Sequence, residues 1–169
     1  MSLERLWAGW RSDYIEGVTT RSRPGTCLFE ALAAMEDEEA MILERTDTTF
    51  TVMNAFPYTS GHVMAVPTRH VAALTGLGAD EASALMHATQ RAAAAIEAAY
   101  DPQGINVGMN IGPASGAGVP GHLHVHLVPR WSGDTNFMTA VAETRVLPES
   151  LRHSYEKLRA SFGAGSHAG

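Results

Sequence analysis

The sequence predicts an α+β fold: an antiparallel sheet of about five strands with helices packed on one face. Three observations lead there. Short strand-like runs bounded by turn residues cluster at 41–54 and 62–67 and return at 105–111 and 122–129. One long Ala-rich helical segment, residues 80–100, separates the two groups, and a second helical segment closes the chain at 148–162. Strands therefore come in runs instead of alternating strictly with helices, which favours an antiparallel sheet over a parallel α/β arrangement.

Residues 1–26 hold LWAGWRSDY followed by the turn-rich TTRSRPGT, and read as an arm laid over another surface. Residues 28–36 (LFEALAAME) form a short helix, and MILERT (41–46) with TFTVMN (49–54) forms a hairpin across a tight polar turn. A turn through Pro57, Ser60 and Gly61 leads to a third strand, HVMAVP (62–67), and RHVAAL (69–74) begins a helical turn. Asp80 and Glu81 sit in the first turn of the 80–100 helix, where negative charge is favoured, and Asp101, Pro102 and Gly104 stop it. INVGMNI (105–111) and HLHVHLVP (122–129) are two more strands joined by the glycine-rich loop GPASGAGVPG (112–121). Pro148 and Glu149 mark the start of the last helix, and 163–169 make a flexible tail. The organisation is thus an arm (1–26), a single domain (27–162) and a tail.

A chain of 169 residues with 45% hydrophobic and 18% charged residues has an ordinary globular balance, enough for one core. A net charge of −6 argues against a surface that grips a nucleic acid polymer through many phosphates, so any phosphate it handles belongs in a local pocket. The single cysteine, Cys27, leaves no intramolecular disulfide and fits a reducing compartment. No apolar run approaches the roughly 20 residues that span a bilayer, and the charged, aromatic N-terminus is unlike a signal peptide. The expected location is cytoplasmic, with no membrane partner.

The chemistry is concentrated in HLHVH. Alternate side chains of a strand share a face, so His122, His124 and His126 form one row while Leu123, Val125 and Leu127 bury the other. Three readings fit that row: a half-exposed strand using histidine as its polar residue, a His-x-His metal site, or a nucleophile at phosphorus. The preceding loop favours the last. Its small residues let backbone N–H groups approach an anion as a nest, which sets an electrostatic cradle beside imidazoles that are partly unprotonated near neutral pH.

HLHVHLVPRW reproduces the His-φ-His-φ-His-φ-φ signature of the histidine-triad (HIT) superfamily, and NAFPYTSGHVMAVPTRHV resembles its upstream strand–turn–strand. LWAGWRSDYI resembles the aromatic N-terminal segment of prokaryotic members, and HLHVHLVPRWSGDTNFM is similar to actinobacterial diadenosine tetraphosphate phosphorylases. The resemblance covers most of residues 5–160 and implies a HIT-like fold, a homodimer and a nucleotide substrate. It also implies cleavage at the α-phosphate through a nucleotidyl-histidine, with water or inorganic phosphate as the acceptor. By the same resemblance His124 is the nucleophile, His126 contacts the scissile phosphate and assists the leaving group, and His62 stands behind the nucleophile. His122 completes the catalytic row. Asn54 matches the residue at the ribose and Asn110 the residue at the phosphate or reacting end. Many members carry a Gly-Gln-Ser/Thr run before the first histidine. Here those positions read Gly118 and Val119, and Ser115 is the one hydroxyl of the loop, so backbone N–H groups around Ser115, Gly116, Gly118 and Val119 carry more of the phosphate load. The alternatives within this class are an adenosine phosphoramidase and, from another class, a nucleotide-binding module with weak turnover.

Zinc-bearing relatives use a Cys-x-x-Cys with two histidines. The matching positions are Cys27, Glu30 in place of the second cysteine, His70 and His122, a donor set that suits tetrahedral structural zinc.

Overall fold

In a computed structural model of the chain, residues 27–115, 118–134 and 147–165 are described. The aromatic arm, Gly116 and the end of the tail lie outside the described residues.

The chain builds the expected sheet. β1 (Ile42–Arg45), β2 (Thr49–Met53), β3 (Val63–Pro67), β4 (Gly104–Met109) and β5 (Val125–Arg130) assemble in the order β1-β2-β3-β5-β4, every pairing antiparallel. The Ala-rich helix and the last helix, α3 (Ala79–Tyr100) and α4 (Leu151–Gly165), cover one face of it. Leu85, Ala88, Ala92 and Ile96 of α3 and Tyr155 and Leu158 of α4 meet Val63, Ala65, Val125 and Leu127 there. Alanine at the contact positions lets α3 lie close to the strands, and burial of this apolar area is the main stabilising term of the fold.

Period-2 alternation sends the next residue of each strand to the other face. There Phe50, Val52, Met64 and Val66 form a second cluster with Phe29 and Leu32 of the short helix α1 (Leu28–Ala33) and with Ala40 of α2 (Asp37–Ala40). The predicted helix 28–36 ends early, at Ala33, and a second short helix that was not predicted follows it at Asp37–Ala40; both pack against the face opposite α3 and α4.

Three local expectations are corrected. Residues 69–73 stay out of helix and a 3₁₀ turn forms only at Leu74–Gly76, because Val71 O accepts Leu123 N–H at 2.7 Å and the Arg69 guanidinium is tied to Gly76 O and Glu81. The last helix begins at Leu151, not at Pro148, because Ser150 Oγ accepts His153 N–H at 3.1 Å and so caps it. β5 begins at Val125, so His122 to His124 precede it, outside the strand; β4 ends at Met109, the partner of Val125, and Leu123 N–H donates to Val71 O instead.

Several contacts fix the frame. Gly78 N–H donates to Glu81 Oε2 at 2.9 Å to start α3, and Asp101 ends it in the left-handed region at φ 45°. Gly61 has φ +80°, and a Cβ there would lie 2.7 Å from the Tyr100 ring, so both conformation and space demand glycine in the turn before His62. At the β1 edge, Tyr155 and Arg159 of α4 donate to Ile42 O, and Arg159 also donates to Leu43 O. β4 is the outer strand at the opposite side of the sheet.

Candidate active site

The histidine row stands on the face away from α3 and α4. Leu123, Val125 and Leu127 point into the main core while His122 and His124 are buried on the other side and His126 is half-buried. Alternation thus survives although only His126 lies within β5, with Leu123 held towards the main core by its N–H bond to Val71 O. Phe29 of α1 packs under the row, its ring centroid 5.3 Å from His122 and 5.0 Å from His124.

Backbone groups decide which nitrogen of each ring carries the proton. His124 Nδ1 lies 2.8 Å from His122 O, a carbonyl that can only accept, so Nδ1–H donates and Nε2 keeps its lone pair. Burial pushes the His124 pKa below the usual imidazole value, which holds that lone pair free at neutral pH. Tyr58 N–H donates to His62 Nδ1 at 3.1 Å, so neutral His62 carries its proton on Nε2 and donates to His126 Nδ1 at 3.0 Å. His126, with Nδ1 accepting, then presents Nε2–H. Its pKa is pushed down to about 4 by burial and by the neighbouring His124. The rings of His124 and His126 are 4.8 Å apart and those of His62 and His126 5.1 Å. A lone pair and an N–H donor on adjacent rings are what displacement at phosphorus requires.

His122 faces elsewhere. Its Nε2–H donates to Pro67 O at 2.9 Å, leaving the Nδ1 lone pair 3.2 Å from Cys27 Sγ. Cys27, His70 and His122 bring their ligand atoms within 4.8 Å of one another, and Glu30 Oε2 is 3.4 Å from His70 Nδ1. These four residues come from α1, its preceding residue, the segment after β3 and the start of the triad. A carbonyl holding the outer N–H of a histidine while the inner nitrogen meets a thiol is the arrangement that orients a metal ligand, so the donors fit zinc.

The remaining predicted residues are less closely gathered. Asn54 lies beside His62, with Nδ2 3.4 Å from Nδ1 and 3.3 Å from Nε2, while its Oδ1 accepts Phe56 N–H at 2.8 Å. Asn110 follows β4 directly and is half-buried. Ser115 Oγ donates to Gly112 O at 2.7 Å, so this hydroxyl is spent on the loop itself. Val119 packs against the second core and its carbonyl accepts His122 N–H at 3.4 Å, whereas Gly118 has open space around its Cα.

The sequence reading missed Phe29 and Tyr58. Tyr58 stacks on His126 at 28° with centroids 6.4 Å apart and lies 4.8 Å from His62. An aromatic inside a Pro/Ser/Gly turn, where polar residues are usual, was the available signal.

With that geometry in view, comparison with known proteins defines the class: the sequence model of the HIT domain matches residues 35–133, and the chain belongs to the HIT domain family. Within it, the chain is 37% identical over 155 residues to a Mycobacterium tuberculosis protein named AP-4-A phosphorylase, covering 89% of this chain and 80% of that one. A bis(5′-nucleosyl)-tetraphosphatase (asymmetrical) of Schizosaccharomyces pombe is 30% identical over 95 residues, covering 56% of this chain and 52% of its own length. Among solved structures, a zinc-bound histidine triad family protein from Mycobacterium smegmatis superposes with a TM-score of 0.69 at 26% identity, covering 85% of this chain and 98% of its own.

Proposed function

We propose that this protein is a nucleotidyl hydrolase/transferase that cleaves dinucleoside polyphosphates at the α-phosphate, with inorganic phosphate as the acceptor. The observation that carries the reading is the pair formed by His124, with Nδ1–H fixed on His122 O and Nε2 free, and His126, with Nε2–H left to donate. His124 Nε2 bonds to the α-phosphorus as the Pα–O bond breaks. The departing oxygen keeps the bonding pair, leaves as a phosphate oxyanion and accepts a hydrogen bond from His126 Nε2–H. The adduct retains the Nδ1 proton on His122 O as a nucleotidyl-imidazolium, and phosphate then takes the nucleotidyl group. Two steps through an enzyme nucleophile each have a lower barrier than direct displacement. His62 orients His126, and Asn54, Asn110 and the loop at Ser115, Gly116, Gly118 and Val119 hold ribose and phosphate. The phosphorylase name of the M. tuberculosis relative supports phosphate over water.

The same reading gives zinc a structural role. Cys27, Glu30, His70 and His122 would hold it, tying α1 to the start of the triad, and the metal supplies a crosslink at a distance from the chemistry. The protein acts in the cytoplasm as a homodimer. Support for pairing comes from apolar side chains left on the surface, Met86 of α3 at 53% exposure and Val107 of β4 at 54%. Among the described residues, no helix is long and apolar enough to cross a membrane.

Incubation with diadenosine tetraphosphate, with and without inorganic phosphate, tests the activity. ADP plus ATP formed only with phosphate is the expected result. AMP plus ATP formed without phosphate would reassign the protein as a hydrolase.

A further inference from the structure

Gly108 is the residue of β4 that pairs directly with His126, so the two share the site face of the sheet. Cross-strand neighbours of this kind hold their Cβ atoms about 5 Å apart, and any side chain at 108 would stand against the His126 imidazole. None does, and a Cβ built there would meet no heavy atom within 4 Å. The other flank of His126 is closed. Its partner on β3 is the buried Met64, the His62 ring is 5.1 Å away, and the Tyr58 ring stacks over it. Glycine weakens the interior of a strand, and one use of it there is to leave room for a ligand or another backbone.

Displacement at phosphorus places the leaving oxygen roughly in line with the attacking atom. With His124 attacking and His126 donating to the leaving oxygen, that oxygen comes beside His126, and the open flank at Gly108 gives the group it carries room to run. We infer that Gly108 determines leaving-group specificity: its missing side chain makes room for a polyphosphate chain bearing a second nucleoside, and a side chain there restricts the enzyme to compact leaving groups. This inference rests on the nucleotidyl-transfer reading above. It adds a residue that discriminates between substrates while leaving the bond-forming step at His124 unchanged.

The test compares two substrates that deposit the same adenylyl group on His124. Diadenosine tetraphosphate releases ATP, and adenosine 5′-phosphofluoridate releases fluoride, which needs no room beyond the phosphorus. Both kcat/KM values are measured in wild type, Gly108→Ala and Gly108→Val, with Gly104→Val as an edge-strand control on the same face but opposite Arg130. The readout is the ratio of the two values within each protein, which cancels any loss of folded enzyme. Gly108→Val, which adds three carbons, is expected to lower the ratio by at least about tenfold, the low end of what one misplaced methylene produces in a pocket. Gly108→Ala should lower it less and Gly104→Val should leave it unchanged. A ratio unchanged in Gly108→Val, or equally lowered in Gly104→Val, would overturn the assignment. Wild-type protein inert towards both substrates, with no adduct on His124, would overturn the nucleotidyl-transfer reading and this inference with it.

Discussion

At the scale of single residues the site is a set of proton positions dictated by the backbone. In the proposed reaction His124 is the nucleophile, its other nitrogen held by the His122 carbonyl, so His124→Ala should lower kcat by at least about three orders of magnitude, as in other covalent enzymes. His124→Asn should do the same while nucleotide affinity, measured by calorimetry, stays within about tenfold. Mass spectrometry of a neutral quench should find the nucleotidyl mass on the peptide containing HLHVHLVPR, and an adduct on another residue would move the nucleophile. His126→Ala differs in kind, since the lone pair on His124 remains. Rates for substrates with good leaving groups should fall less than rates for poor ones, and an equal loss across a leaving-group series would remove His126 from that role. The triad was legible because its period of two, histidine alternating with Leu123, Val125 and Leu127, stands in the residues themselves. The tautomer of His62 was not, since it depends on the main-chain N–H of Tyr58, a group identical in every residue type except proline.

At the scale of elements, two junctions carry the site. One is the turn before β3, where Gly61→Ala would force a Cβ into the Tyr100 ring at a positive φ. Urea denaturation should show a loss of about 1–3 kcal/mol, the usual cost of such strain, and an unchanged midpoint would show that the turn relaxes freely. The other is the meeting of α1, the segment after β3 and the start of the triad, where Cys27, Glu30, His70 and His122 converge. Chelation should lower the melting temperature more than it lowers the initial rate, because a metal that binds only the folded state stabilises it by mass action. Protein purified without chelator and found free of zinc would remove the metal from the proposal. Strands and long helices were readable because their periodicity is intrinsic. The late start of β5, the non-helical path of 69–73 and the end of the first helix at Ala33 were not, since each is set by a partner distant in sequence: Leu123 on Val71, and α1 on the second core.

At the scale of the whole molecule, folding keeps the triad imidazoles neutral. The unfolded chain takes up a proton at His126 below about pH 6.5, whereas the folded protein does so only at about 4, with Met64, His62, His124 and Tyr58 packed around the ring. Stability contributed at neutral pH is therefore lost as pH falls from 6.5 through about 4. The melting temperature should decline across that window, and His126→Asn should make the decline shallower; an equal slope in both proteins would place the titration elsewhere. Light scattering should give a mass near twice 18.1 kDa at micromolar concentration, and a mass of one chain would sink the proposed dimer.

The two sides of the sheet differ in what they offer to a second chain. On the β1 side, the carbonyls of Ile42 and Leu43 already receive donors from Tyr155 and Arg159. On the β4 side, two glycines and the exposed Val107 belong to an uncharged outer strand of six residues. An assembly built through β4 about a two-fold axis uses up that side of both copies and presents only stapled β1 sides outward. Such pairing terminates itself: the asymmetry between the sides allows a closed pair and denies the repeating strand addition by which an open sheet grows into a fibre.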